Sequence, residues 1–134
     1  MVKNITTLRV RYAETDKMQF VYNGKYLEYF EVGRAELLRS LGLPYSTIEE
    51  SGYQLPLTEA GLKYIRPAYY DDLLSIEATI EKIVSPRLRI NYRIFRNDSP
   101  EVLVEGFTEH VFISTETKKA VRPPKFFVDH FSNK

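Results

Sequence analysis

One stretch of this sequence, residues 23–41, carries its apolar side chains at helical spacing, while most other apolar positions alternate with a period of two. Tyr26, Leu27, Phe30, Leu37, Leu38 and Leu41 recur at intervals of three, four and seven, which puts them on one face of a helix. Asn23 stands where an N-cap is expected and Gly42 where a C′ residue is expected, and Pro44 forbids continuation. Gly33 lies inside the helix at a cost in propensity. That cost makes sense if the helix presses on a sheet too closely for a side chain. A chain with one long helix must bury that helix's face on a sheet, so the architecture expected is α+β.

The strands follow from the alternation. Residues 4–12 carry Leu8, Val10 and Tyr12 at every second position, and residues 13–21 are polar and aperiodic, hence a loop. A short helix is expected over 45–50, ended by Gly52, then an extended segment over 53–64 in which Pro56 marks an edge or a bulge. Residues 73–84 place Leu74, Ile76, Ala78, Ile80 and Val84 on one face, and Ser85-Pro86 makes a turn. Residues 87–96 set Leu88, Ile90, Tyr92 and Ile94 against Arg87, Arg89, Asn91 and Arg93. After a turn at 97–100, residues 102–114 form another strand, residues 117–125 a basic loop with prolines, and residues 126–131 a terminal turn of helix. Long neighbouring strands with short turns read as an antiparallel meander. This order fits any curved sheet wrapped on one helix. It also leaves sheet edges uncovered, for which dimerisation is the expected remedy.

Composition narrows the function classes. The 134 residues suit a single domain over 1–134. A net charge of +1 argues against a nucleic-acid partner, and the absence of cysteine removes disulfides, thiol nucleophiles and thiolate metal sites. Without an apolar leader region or a run of about 18 apolar residues, the chain is expected to be soluble and cytoplasmic, with no membrane span. There is no Gly-x-Ser-x-Gly elbow, P-loop or dinucleotide fingerprint. The two histidines, His110 in a strand and His130 near the end, do not suggest a metal centre, and His110 reads as a satisfied sheet residue.

Chemistry concentrates in residues 11–31, RYAETDKMQFVYNGKYLEYFE. Here an acidic loop delivers the chain to the start of the longest helix, whose unpaired amides and partial positive charge suit an oxyanion. A nearby carboxylate can serve as nucleophile or as general base toward water. On these residues alone, a plain turn residue is the better reading of Asp16.

The segment resembles the signature of the 4-hydroxybenzoyl-CoA thioesterase-like family of hot-dog thioesterases. The matching positions are Tyr12, Glu14, Thr15, Asp16, Val21, Tyr22, Tyr26, Tyr29, Phe30 and Glu31. Arg34, residues 37–39, residues 63–68 and Asp71-Asp72 fit downstream. The resemblance implies a hot-dog fold, a long central helix wrapped by an antiparallel sheet, with subunits paired as a homodimer or homotetramer and active sites at their interface. It implies hydrolysis of an acyl-CoA to free acid and CoA without metal or other cofactor, with Asp16 as nucleophile or general base. Amides from Tyr22 to Gly24 would polarise the thioester carbonyl, Tyr12 would help place the substrate, and Lys63 and Arg66 would contact CoA phosphates. Two positions depart from the family pattern. Asn23 replaces a common histidine, so it can orient a carbonyl or water but not carry a proton at neutral pH. Met18-Gln19-Phe20 stands where a loop glycine is usual. The first departure keeps an alternative open, a non-catalytic acyl-CoA or acyl-carrier-protein binding module of the same fold. A dehydratase of that fold would need an active-site histidine that this sequence does not supply.

Overall fold

The computed structural model describes residues 1–83 and 86–132. Strand β1 (Val2–Arg9) leads through a 3-10 turn (Tyr12–Glu14) to helix α1 (Lys25–Ser40) and a short helix α2 (Tyr45–Glu50). Strands β2 (Tyr53–Gln54), β3 (Leu57–Tyr64), β4 (Leu73–Ile80), β5 (Arg87–Arg96) and β6 (Val102–Ser114) follow, then β7 (Ala120–Val121) and helix α3 (Lys125–Ser132). The sheet is antiparallel throughout, in the order β1-β4-β5-β6, with β2 and β3 both on β6 and β7 also pairing with β6.

Alternation along the strands decides which face meets α1. Leu74, Ile76, Ala78 and Ile80 of β4 and Leu88, Ile90, Tyr92 and Ile94 of β5 are buried to the last percent. From the helix, Tyr26, Tyr29, Phe30, Leu37 and Leu38 fill the other side of the same core. Phe30 stacks on Tyr92 with ring centroids 4.3 Å apart and planes within 5°. A Cβ on Gly33 would stand 2.7 Å from Ile76 Cγ2, so glycine here is what lets α1 lie against β4.

Helix α1 ends as its sequence anticipates. Gly42 adopts φ 77, its amide donates to the Arg39 carbonyl, and the Leu43 amide donates to Leu38, a Schellman closure. Its start differs from expectation. Gly24, not Asn23, is the N-cap, and no side chain caps the helix. The reason is that a turn precedes the helix: Lys25 N–H already bonds the Tyr22 carbonyl and Gly24 is itself helical at φ −67, ψ −18, so Asn23 stands one residue too early.

Other boundaries shift for comparable reasons. Strand β1 stops at Arg9 because the Val10 amide turns to the Asp72 carbonyl. Tyr12 therefore lies in the 3-10 turn, 67% exposed, rather than in the strand. The extended segment around Pro56 divides into β2 and β3, and the β3–β6 register slips between Leu57 and Glu59. Two residues of the expected basic loop, Ala120 and Val121, pair with β6. The turn expected at Ser85-Pro86 falls partly outside the described residues, as does Val84.

Candidate active site

The Asp16 loop is closed on itself and then zipped to a distant segment. Thr15 and Val21 form a bridge, and inside it Asp16 N–H donates to the Phe20 carbonyl at 2.9 Å. The Asp16 carboxylate Oδ1 accepts the amides of Met18 (2.9 Å) and Phe20 (3.2 Å), an Asx-type turn. Asp16 Oδ2 has no partner among the described residues. Gln19 sits at φ 65, a left-handed conformation that glycine would adopt at no cost. From the loop, Phe20 bridges Tyr69, Val21 N–H donates to Ala68, and Gln19 accepts from Tyr70 N–H. Edge-to-face contacts, Phe20 on Tyr69 at 5.1 Å and Tyr12 on Tyr70 at 5.6 Å, reinforce the join.

Glu14 anchors the other side of this loop. Its carbonyl accepts Tyr22 N–H (2.9 Å), and its carboxylate accepts Arg11 N–H (2.8 Å) and the Tyr29 hydroxyl (3.2 Å). Burial, then the Glu14 charge, raises the Tyr29 phenol well above its ordinary pKa, so it remains a donor.

These constraints bring Asp16, Phe20, Val21, Asn23, Tyr26, Tyr64, Ile65, Arg66 and Pro67 around one open cavity of about 300 Å³. The segment from Tyr64 to Pro67 is held in place by Ile65 and Arg66 amides, both donating to the Leu103 carbonyl. Tyr26, buried in the first turn of α1, accepts the Ala68 amide on its phenol oxygen at 3.2 Å. Burial raises that phenol's pKa, keeping it neutral. Tyr64 donates from its hydroxyl to the Asn23 carbonyl at 3.3 Å.

The sequence candidates separate at this site. Asp16, Asn23 and Arg66 line the cavity together. The Tyr22 amide is committed to Glu14, whereas the amides of Asn23 and Gly24 have no acceptor among the described residues. The Tyr22 ring is 61% exposed and lies over Gly24, 3.3 Å from where a Cβ would be. Tyr12 stands beside the loop against Tyr70, outside the cavity lining. Arg66 pairs with Glu101 at 3.2 Å. Lys63 points the other way, because neighbouring strand residues face opposite sides. It borders a depression on the outer sheet surface with Arg89, Arg93 and Glu105. Among the described residues no cluster of three or more His, Asp or Glu could hold a metal ion, and no helix is long and apolar enough to cross a membrane. Phe20, Tyr64, Ile65 and Pro67 were not singled out as site residues from the sequence. Three of them lie within the matching run 63–68, but nothing in that run says it folds back on a loop more than 40 positions away.

Known proteins share this fold. Residues 10–131 match the model of the thioesterase-like superfamily. The chain is 32% identical to YneP of Bacillus subtilis over 122 residues, 91% of this chain and 88% of that one. It is 31% identical to the 1,4-dihydroxy-2-naphthoyl-CoA hydrolase of Synechocystis over 86% of this chain and 85% of that one. The crystal structure of a DHNA-CoA thioesterase from Staphylococcus aureus superposes with a TM-score of 0.89 at 32% identity, covering 99% of this chain and 91% of that one. With the central helix, the wrapping antiparallel sheet and the family match in agreement, the chain belongs to the thioesterase-like superfamily and has its hot-dog fold.

Proposed function

We propose that this protein hydrolyses an acyl-CoA thioester to a free acid and CoA, with Asp16 as the reacting carboxylate and the helix-start amides of Asn23 and Gly24 as the oxyanion site. As a member of its family the chain is a thioester hydrolase; the residue roles are our reading. One observation carries them. Asp16 has one carboxylate oxygen tied down by two amides and the other without a partner among the described residues, in a cavity it shares with Asn23 at the positive end of α1. As nucleophile, the free oxygen attacks the thioester carbon, expels the CoA thiolate, and leaves an acyl anhydride that water opens. As general base, it takes a proton from the water that attacks instead. Either route puts negative charge on the former carbonyl oxygen, where a desolvated amide is worth most. The cavity is small and lined by Phe20, Tyr26 and Tyr64, which favours a compact or aromatic acyl group. The free edge of β3, with Leu57 and Tyr64 about half exposed, is where we place the contact with a second copy.

The test is free-thiol release on short, long and aromatic acyl-CoAs, 1,4-dihydroxy-2-naphthoyl-CoA among them, for wild type and Asp16→Asn. Asparagine keeps an oxygen for the two amides but loses the charge, so the loop holds and turnover falls by at least about 10²-fold. Undiminished turnover in that variant would remove Asp16 from the mechanism. Binding of acyl-CoA with no release by wild type would favour the non-catalytic module.

A further inference from the structure

Tyr64 joins the end of an edge strand to the start of the long helix. It ends the outermost strand, β3, and its hydroxyl reaches the carbonyl of Asn23 at the start of α1, 41 positions earlier. Its ring also leans on that of Tyr26, with centroids 5.6 Å apart, so the phenol is held from the side as well as at its tip. The Asn23 carbonyl receives a second, long bond from Tyr26 N–H at 3.4 Å. The other end of the same peptide group is the Gly24 N–H, which has no acceptor among the described residues. A peptide group whose carbonyl accepts hydrogen bonds is polarised, and its own N–H becomes a stronger donor. No side chain caps α1, so what grips this carbonyl adds to the turn that Lys25 N–H closes on Tyr22 in setting the orientation of the peptide.

We infer that Tyr64 is a positioning residue for hydrolysis: it clamps the Asn23–Gly24 peptide, beside the Asp16 cavity that Asn23 lines, in the orientation the helix-start amides need to receive the oxyanion. The inference rests on the thioesterase reading above. In that reading Tyr64 touches neither the reacting carbon nor the leaving sulfur. It acts through the peptide it holds, and its benefit is felt when charge develops on the substrate oxygen, not when the substrate binds.

Tyr64→Phe removes the hydroxyl and keeps the ring. The hydroxyl is on a half-exposed residue, so the thermal midpoint stays within about 2 °C of wild type. Turnover falls roughly tenfold with KM within about twofold, short of the 10²–10³ lost when an oxyanion donor is deleted outright. A kcat equal to wild type would overturn the inference. So would a rise in KM with kcat unchanged, which would make the Tyr64 hydroxyl a group that binds substrate rather than one that positions the peptide. The contact has a readout that needs no substrate, the amide resonance of Gly24 in the free protein. It shifts when Tyr64 becomes Phe, and a resonance that stays put overturns the clamp. A wild type that releases no thiol while Gly24 shifts would leave the clamp standing and remove the thioesterase reading.

Discussion

Acid should destabilise this protein through His110 as pH falls from 6.5 toward 4. The imidazole is 1% exposed and ends a buried chain of hydrogen bonds. Arg34 Nη1 lies 3.5 Å from the Tyr92 hydroxyl, Tyr92 is 2.7 Å from Thr108 Oγ1, and Thr108 is 2.9 Å from His110 Nε2. On the far side His110 Nδ1 faces the Leu55 carbonyl at 3.3 Å. A guanidinium only donates and a carbonyl only accepts, so the two ends assign every hydrogen between them. Tyr92 donates to Thr108, Thr108 donates to Nε2, and Nδ1–H donates to Leu55; the tautomer is inferred from these partners. A second proton on Nε2 would turn the Thr108 hydroxyl back toward Tyr92, whose own hydrogen would then face a guanidinium that accepts nothing. Burial first, and then the Arg34 charge, lower the histidine pKa from 6.5 to about 4. Because the folded pKa is depressed, the unfolded chain holds the extra proton between pH 6.5 and about 4. The stabilisation is whole above pH 6.5 and is lost as pH falls toward 4. At about 1.36 kcal/mol per pH unit this amounts to about 3 kcal/mol in all and about 2 kcal/mol by pH 5. Glu77, whose carboxyl is held below its usual range by hydrogen bonds from Arg93, contributes only at lower pH. Urea midpoints from about pH 7.5 to 5, at fixed protein concentration, should fall in wild type and stay nearly flat in His110→Gln, which starts lower. An imidazole that titrates near 6 by NMR, carries its proton on Nε2, or gives parallel pH profiles in the two proteins would refute the argument.

Three further substitutions test local geometry. Gly33→Ala should lose about 1–2 kcal/mol by urea denaturation despite alanine's better helix propensity, since its Cβ would meet Ile76 Cγ2 at 2.7 Å; a gain in stability would mean α1 can lift from β4 freely. Gln19→Gly should hold or raise the thermal midpoint, whereas Gln19→Val, β-branched at φ 65, should lose about 1–2 kcal/mol and slow thiol release by disturbing the Asp16 loop. Asn23→His should change stability by less than about 0.5 kcal/mol, because the exposed side chain caps nothing. Its pH–rate profile should gain a limb near 6.5, and an unchanged profile would exclude the side chain at this position from proton transfer.

The fold was legible where one side-chain period governs a whole element. The alternation in 87–96 placed the inward face of β5 correctly, and the helical spacing placed Tyr26, Phe30, Leu37, Leu38 and Leu41 in the core; Leu27, expected on that face, is 37% exposed, and Tyr29 is buried in addition. Gly33 announced the close approach that Ile76 and Ala78 now explain. Caps and ends were less legible, because Asn23 has the chemistry of an N-cap while the backbone just ahead of the helix decides which residue stands there. Tyr12 continues the strand's alternation on paper, but Val10 has already turned to Asp72. The site was half legible. Asp16 and Asn23 announce themselves as a polar pair at a helix start, whereas Tyr64 and Phe20 enter the cavity only through long-range pairings, 64 with 104 and 20 with 69, that no local pattern contains. Arg34 is the sharpest omission of role. Read along the helix it is one more charged residue, and only the strands opposite, supplying Tyr92 and Thr108, with Tyr45 from α2, reveal that it is buried among phenols.

In the proposed mechanism Asp16 is a turn residue and a reacting residue at once, and the two readings need not be rivals. An aspartate in an Asx turn needs one carboxylate oxygen to accept loop amides, and Oδ1 takes both Met18 and Phe20. A carboxylate that attacks or deprotonates needs one oxygen free and a fixed direction of approach, and fixing Oδ1 fixes the direction of Oδ2. In the proposed mechanism the turn therefore supplies the orientation that the chemistry requires. The same division explains why asparagine, rather than alanine, is the informative substitution. Alanine removes the turn and the charge together, and a loss of turnover would not say which mattered. Asparagine leaves the turn its oxygen and removes only the charge, so turnover lost in Asp16→Asn with the fold intact can be assigned to the oxygen that the loop does not use.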